Sequence, residues 1–496
     1  MITKPEIQAK QTKLRGAAWH SVIYGLGSIA QSAMGFLLLP ILTGALSKDD
    51  FGAYSLILMA TTVASAVFYL GMTSAMPRSF FDYQSEGERR AVFTTAFSIL
   101  AIGAFLQMMA GYWGGDLIAT TLMRKNTHAD AVRWAFCGGA LAFINQYFFT
   151  YLRLLRSSVA AVCLSLVSLI CGLGFTLWLL DRYPGSVAAP FEAVVFSQLL
   201  VAAVFALMYG RQAFTWKLRH NEVRLLLHFG IASVITSFGN MLLDWADRII
   251  IERFMTSADV GIYSAAVRVG SLVNVLLVVP FTQIWSPLMM EHRDDKNIRQ
   301  LFSAVFSYFF IAGGLILSGA ALFFHELLPI LIRYDLTQDL AIVFLMVASA
   351  NLVYGSTNIV VAGIFYERKV FLLPFVYYSI AIVKIIMDII LIPVYGIIAA
   401  STATLITSIL LPTVVYGLAK KYFSFKIEWL RMFKLTGIFF IPFLYAVLVA
   451  SKKLSEAHWS LRIVLMLFAI LMVFQFVLTR NEKIEFKKTL HKLRYQ

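Results

Sequence analysis

GNMLLDWADRIIIERFMTSADVGIYSAAVRVG, residues Gly239 to Gly270, joins two apolar helices through a short turn. It carries Asp244, Asp247, Arg248, Glu252 and Arg268 where hydrocarbon should dominate. A charge inside a membrane span is costly, so it faces a partner or a wet cavity and marks a functional path. The stretch therefore predicts a pair of spans lining a route for a solute.

The rest of the chain fits that setting. Its 496 residues are 59% hydrophobic, with a mean hydropathy of +0.77, far more apolar surface than one soluble core can hide. The fold class read from this is an all-α polytopic membrane protein. The formal charge of +15 lies in short basic clusters between apolar runs, not on one face of a soluble module. It implies the lipid bilayer as a partner, and no nucleic acid. Cys137, Cys163 and Cys171 sit in apolar runs without paired spacing, so neither a metal site nor a disulfide framework is indicated. No G-x-x-x-x-G-K-[ST] loop occurs and no cofactor is implied. The first apolar run lacks a small-residue cleavage site and reads as a retained helix. Asp294-Asp295 reads as a solvated charge run.

At roughly 20 residues per span the chain holds about fourteen transmembrane segments. Most of the 42 basic residues fall on alternate connections, from Lys4–Arg15 through Arg153 and Arg211–Arg224 to the Arg480–Arg494 tail. Basic flanks are retained inside, so both termini are predicted to be cytoplasmic. A repeat supports the organisation: Asp50-Phe51-Gly52-Ala53-Tyr54-Ser55 aligns with Asp259-Val260-Gly261-Ile262-Tyr263-Ser264 at an offset of 209. Six spans is an even number, so the halves share one orientation, an arrangement some transporters use with the substrate site between the repeats. The reading is two parallel six-helix bundles plus two C-terminal helices. It divides the chain into a cytoplasmic segment 1–15, a first bundle 16–210, a linker 211–225, a second bundle 226–419, a linker 420–434, two added helices 435–479 and a basic cytoplasmic tail 480–496. The longest outer stretch, Trp113 to Asp130, is short and poor in catalytic groups, so no catalytic residue is assigned. Pro40, Pro280, Pro374 and Pro412 fall within spans and are consistent with kinks.

Depth sorts the charges. If the seventh segment enters at Leu226, Asp244 lies about 27 Å along it and Arg248 about 33 Å, near the far edge of the hydrocarbon. Asp244–Arg248 and Arg248–Glu252 are i,i+4 pairs that either neutralise one another or line a vestibule. Arg268 is about 12 Å into the eighth segment with no acid within four residues, and its planar fork suits phosphate. It stands first among the candidates, with Asp247 as its alternative partner. Lys384 and Asp388 form another i,i+4 pair, either self-compensating or supplying positive potential and a proton-exchanging acid. Asn351, Tyr354 and Asn358 at i, i+3, i+7 make one polar face that serves sugars or helix packing. Asn145, Gln146 and Gln31 carry the same two readings, and His20 reads as a packed or interfacial residue and not a ligand. Arg15 and Arg78 sit at inner helix ends, where the positive-inside rule accounts for them and a cytoplasm-facing cavity can also use them.

Three stretches, GAYSLILMATTVASAVFYLGMTSAMPRSFFDY (Gly52–Tyr83), DRIIIERFMTSADVGIYSAAVRVG (Asp247–Gly270) and IPVYGIIAASTATLITSIL (Ile392–Leu410), resemble the polysaccharide-transport branch of the multidrug/oligosaccharidyl-lipid/polysaccharide exporter superfamily, the Wzx-type O-antigen flippases. The resemblance implies a bacterial inner-membrane protein that is not an enzyme. It implies alternating access around a cationic cavity taking an undecaprenyl-pyrophosphate-linked oligosaccharide, driven by an ion gradient. Arg268, Arg248, Lys384, Asn351, Tyr354, Asn358, Arg78 and Arg15 are then candidates for the substrate, and Asp247, Asp244 and Asp388 for ion coupling. Other membrane proteins of polysaccharide assembly are implied partners. Two alternatives stay open. One is a cation-coupled multidrug antiporter of related fold, although Gly16–Leu46 lacks the acid some of those carry in their first helix. The other is a membrane-embedded glycan polymerase or ligase, which the short outer loops disfavour.

Overall fold

A computed structural model describes residues 35–123, 128–155, 157–293, 295, 297–367, 369–455, 458–479 and 482–483. The regular elements among them are all helical. The chain divides into two compact units, one ending at Ser264 and the other starting at Ala265. The first holds α1 (Gly35–Ala45), α2 (Lys48–Phe68), α3 (Met72–Phe81), α4 (Glu86–Met123), α5 (Ala129–Leu154), α6 (Ser158–Arg182), α7 (Ala188–Ala213), α8 (His220–Phe254) and the start of α9 (Ser257–Gly270). The second holds the end of α9, a π-helical turn at Asn274–Val278, α10 (Val279–Glu291), α11 (Ile298–Leu322), α12 (Phe324–Leu331), α13 (Gln338–Gly355), α14 (Thr357–Val360), α15 (Ala362–Tyr366), α16 (Leu372–Ala419), α17 (Trp429–Ala450) and α18 (Trp459–Met472).

Eleven helices among the described residues are long and apolar enough to cross a membrane. The remaining expected segments appear in other forms. The described part of the first is the short apolar helix α1. The fourth, α5, carries Asn145, Gln146 and several tyrosines, which its position allows: it is enclosed by α2, α3, α4, α6 and α7. The eleventh and twelfth run together as α16, folded at Gly396, whose φ of 63° is a left-handed conformation that suits glycine. Large apolar side chains such as Ile170, Leu207, Ile284, Phe375 and Ile390 are exposed, the expected state of a surface that meets lipid.

The repeat extends well beyond six residues. Lys48–Phe81 and Ser257–Glu291 form corresponding spans, and Ala129–Leu154 corresponds to Gln338–Tyr366, whose apolar stretch is mostly buried. Each of the repeated hexapeptide's first residues has a local cause. Ser47 Oγ accepts from the Asp50 backbone N–H at 3.1 Å and donates to its carboxylate at 2.6 Å. Thr256 Oγ1 does the same for Asp259, at 3.3 Å and 2.6 Å. Both aspartates thus complete N-terminal capping arrangements for α2 and α9. The repeated glycines meet one another. A Cβ on Gly52 would lie 1.9 Å from the Ser257 carbonyl oxygen, and one on Gly261 would lie 2.1 Å from that of Lys48.

Three local features differ from the sequence reading. α4 does not stop near Tyr112 but continues to Met123, because Arg133 of α5 binds Asp116 at 2.7 Å and Asp130 at 2.7 Å and fastens the extension. The second span breaks at Leu70–Gly71, both at positive φ. Pro280 follows the π-helical turn at the start of α10, where its missing N–H costs least.

The core of the first unit is aromatic: Phe93, Tyr147, Tyr151, Phe148 and Phe205 stack around the α4–α5–α7 contacts, and the Tyr147 hydroxyl donates to the Phe93 carbonyl at 2.7 Å. In the second unit α17 and α18 are fastened near their ends by buried arginines. Arg462 forms a two-nitrogen pair with Glu326, while Arg431 reaches Glu428 and, at 3.0 Å, Glu482. Burial pushes the Glu482 carboxyl up, but bonds from Tyr308, the Thr479 backbone and side chain, and Arg431 outweigh it and hold the group at about 2, below the ordinary 4.5.

Two outcomes follow from these contacts. Gly52→Val or Gly261→Val should lower the unfolding temperature markedly, by about 2 kcal/mol or more of stability, whereas Gly87→Ala, with open space around it, should leave it unchanged. Because the folded-state pKa of Glu482 is depressed, its stabilisation is complete above 4.5 and is lost as pH falls toward about 2. Thermal unfolding in detergent should therefore weaken with acidification more steeply in the native protein than in Glu482→Gln.

Candidate functional site

Helices α8 and α9 run antiparallel through the turn at Met255–Thr256, and the turn places consecutive residues of one opposite consecutive residues of the other. The Tyr263 hydroxyl donates to Asp247 Oδ2. One residue on, Arg248 Nε donates to Ser264 Oγ at 3.2 Å. Nearer the turn, Ser257 Oγ donates to the Glu252 carboxylate at 3.0 Å. Asp247, Arg248 and Glu252 are all buried. Buried polar groups in such surroundings need partners, and this ladder gives each of the three at least one.

Arg248 is held as a plate. Its Nη1 donates to the Asp244 carbonyl at 2.7 Å, one turn back, and its guanidinium lies 4.4 Å from the Trp245 ring centroid and 5.9 Å from that of Tyr263. Its charge is not spent on an acid: no ion pair involves Arg248 among the described residues, and Nη2 has no hydrogen-bond partner among them. An oriented guanidinium with an uncommitted terminal nitrogen can donate to a phosphate oxygen. The side chain of Asp244 is exposed beside it. α8 begins at His220, so Arg248 lies about 42 Å along the helix, farther than an entry at Leu226 implies.

The repeat makes this constellation one-sided. Subtracting the offset of 209, the positions of Asp247 and Arg248 correspond to Leu38 and Leu39 of α1. The same tyrosine and serine are present in both copies, and the second copy sets them against Asp247 and Arg248.

The other candidates fall elsewhere. Arg78 lies in the last turn of α3 and stacks on Phe229 of α8 at 3.6 Å. Phe229 and Arg248 are about 28 Å apart along that helix, so these two candidates are not brought together. Arg15 lies outside the described residues, as do Gln31 and His20. In the second unit, Arg268 is exposed near the end of α9. Lys384 and Asp388 are 2% and 0% exposed, one turn apart on α16. Asn351 and Tyr354 lie on α13 and Asn358 on α14, elements that pack against α16. Their polar face is not one regular helical row. Three-residue hydrogen bonds from Ser356 to Val353 and from Ile359 to Ser356 interrupt the helix and rotate Asn358 relative to Asn351. Asn351 and Asn358 donate to their own backbone, at Val347 and Gly355. Asn145 bonds Gln198 through Nδ2 at 2.7 Å and joins α5 to α7.

Sequence reasoning passed over Tyr263, Ser264 and Trp245 as functional residues. The repeat drew attention to the first two, but as a sign of duplication. It also passed over Gln107, which is fully buried and donates to Ser65 Oγ at 3.0 Å and the Phe136 carbonyl at 3.1 Å.

Residues 14–293, more than half of the chain, match the family described as polysaccharide biosynthesis protein. The succinoglycan biosynthesis transport protein ExoT of Rhizobium meliloti (strain 1021) is 23% identical across 60% of this chain and 57% of its own. The match thus spans a little over half the length of that relative. Among solved structures, the lipid II flippase MurJ in an inward closed conformation superposes with a TM-score of 0.71 at 14% identity, covering 92% of this chain and 97% of that one. An inward-facing multidrug resistance MATE family transporter of the MOP superfamily gives 0.64 at 12% identity, covering 80% and 94%. At these identities the likeness is one of fold.

Lys384 and Asp388 provide a test of how charge is carried in the second unit. Removing one member of a buried opposite pair leaves the other uncompensated at a cost of about 3–5 kcal/mol, while neutralising both is far milder. Lys384→Met should therefore lower the unfolding temperature sharply, and adding Asp388→Asn should restore most of the loss. Additive losses in the double variant would separate the two residues energetically.

Proposed function

Because the chain belongs to the polysaccharide biosynthesis protein family, we propose that it is a flippase of the bacterial inner membrane. It carries undecaprenyl-pyrophosphate-linked oligosaccharide across by alternating access, for assembly of O-antigen, capsule or exopolysaccharide. The observation that carries this reading is Arg248, a buried guanidinium that is stacked, bonded on two nitrogens and left with a third for an anion. A lipid-linked sugar diphosphate presents such an anion, and a planar donor suits it.

Arg268, Lys384, Asn351, Tyr354, Asn358, Arg78 and Arg15 are further proposed to meet the substrate in the course of transport, and Asp247, Asp244 and Asp388 to couple transport to an ion gradient. ExoT is named as a transport protein and MurJ as a flippase, which supports a transporter and not an enzyme. A second reading, a cation-coupled multidrug antiporter, draws on the MATE fold likeness and on the buried acids Asp247 and Asp388. The cationic character of Arg248 favours an anionic cargo over a cationic drug.

Reconstitution distinguishes the two. Liposomes containing a fluorescent undecaprenyl-pyrophosphate oligosaccharide should show its movement away from an impermeant quencher, faster under a proton or sodium gradient. Arg248→Ala and Arg268→Ala should slow this at least about tenfold, as expected for losing a charged donor to phosphate. Arg133→Ala, which loosens the α4 extension at Asp116 and Asp130 and leaves Arg248 and Arg268 in place, should not. Movement of no lipid-linked glycan, together with gradient-driven export of a cationic dye, would instead identify an antiporter.

A further inference from the structure

The repeated hexapeptide gives the protein an internal comparison. Two of its shared residue types do the same work in both copies. Asp50 and Asp259 complete the helix caps, and Gly52 and Gly261 allow the backbones to touch. The last two do not. Tyr54 stacks on Phe191 with ring centroids 4.9 Å apart, and the positions equivalent to Asp247 and Arg248 are Leu38 and Leu39. Tyr263 instead donates to Asp247, and Ser264 accepts from Arg248.

A guanidinium on a long flexible stem samples many orientations unless its plane is fixed. Here three features fix it: the Asp244 carbonyl on Nη1, the Trp245 face, and the Ser264 hydroxyl on Nε. The first two come from the same helix and one turn of chain. Ser264 is the hydrogen-bond partner that belongs to the neighbouring helix, so it decides which edge of the guanidinium stays open. The Tyr263 ring, 5.9 Å from the guanidinium, forms the adjoining wall while its hydroxyl engages Asp247.

We propose that Ser264 and Tyr263 are positioning residues: through the α8–α9 hydrogen bonds they hold Arg248 with one edge open to the diphosphate of the lipid-linked substrate, a role their counterparts Ser55 and Tyr54 do not have. The inference rests on the flippase reading for the identity of the anion, but its geometric part does not. Uniform fastening of two helices would be served equally by both copies of the motif; orientation of a charged ligand-binding group is served by one.

The test uses the full-length protein with Ser264→Ala and Tyr263→Phe against Ser55→Ala and Tyr54→Phe. The first readout needs no ligand. Trp245 emission, taken as the difference from a Trp245→Phe background in detergent, should shift in Ser264→Ala, because the guanidinium over that ring is released, and should not shift in Ser55→Ala. The second readout is the liposome assay at varied concentrations of undecaprenyl-pyrophosphate oligosaccharide. Ser264→Ala should raise the apparent KM about tenfold, the size expected for disturbing a hydrogen bond to a charged group, with the maximal rate within about twofold. Tyr263→Phe should move KM in the same direction, and the first-copy variants should leave it in place. Equal effects from both copies, or a fall in maximal rate alone, would reduce these residues to helix fasteners and overturn the proposal. If the native protein moves no lipid-linked glycan and the emission shift is still confined to Ser264→Ala, positioning of Arg248 stands and the flippase reading falls. If that shift is missing, the positioning itself is refuted whatever the cargo.

Discussion

Contact between two helix backbones at Gly52 and Gly261 is the constraint to which much of the first unit answers. Each glycine sits against a carbonyl of the other helix's first turn, at distances no side chain could share. The capping arrangements at Ser47 and Thr256 start both helices at the level of this contact, so cap and crossing are set together. Once α2 and the beginning of α9 are in register, the turn at Met255–Thr256 brings α8 back alongside. The polar ladder from Glu252 to Asp247 then follows from ordinary helical rise. In lipid, apolar burial gives little preference for one helix pairing over another, so close backbone approach and a few hydrogen bonds carry much of the specificity.

That background explains why the charged part of the molecule is both exacting and local. Arg248 is surrounded by a serine, a carbonyl and two aromatic rings, partners that orient a cation without cancelling it. Lys384 and Asp388 represent the other solution, opposite charges placed one turn apart and buried. Arg462 and Arg431 represent a third, guanidinium groups committed to carboxylates where α17 and α18 are fastened. Burial by itself does not separate these uses; the identity of the acceptor does.

Much of the helical architecture was legible because it depends on quantities that survive in one dimension: apolar run length, spacing of basic flanks and a repeat at constant offset. α5 was read as a span from its length and flanks; it forms a helix of 26 residues but, with its asparagine, glutamine and tyrosines, is not among the eleven apolar enough to cross a membrane. Breaks were harder to read. Proline suggested kinks at four places, yet α16 folds at Gly396, and the second span breaks at Leu70–Gly71. A leucine at positive φ leaves no compositional trace, because packing imposes it. At the site, Asp247 and Arg248 were conspicuous as charges in an apolar stretch. Tyr263 and Ser264 were not, since a tyrosine and a serine in a span usually serve packing, and only their partners reveal otherwise. The regular face drawn through Asn351, Tyr354 and Asn358 assumed a uniform helical period that the interruption at Ser356 does not keep.

The extension of α4 has a bearing on the bilayer itself. Its 38 residues make a rod of about 57 Å, nearly twice the roughly 30 Å of hydrocarbon it crosses. Exposed Tyr112 and Trp113 sit well along it, followed by a segment braced by Arg133. Aromatic rings of this kind settle at the headgroup level. The rod therefore works as a depth gauge: it fixes how far the bundle sinks into the membrane, and a thicker or thinner bilayer would be felt as strain along one stiff element and not as a change in a flexible loop.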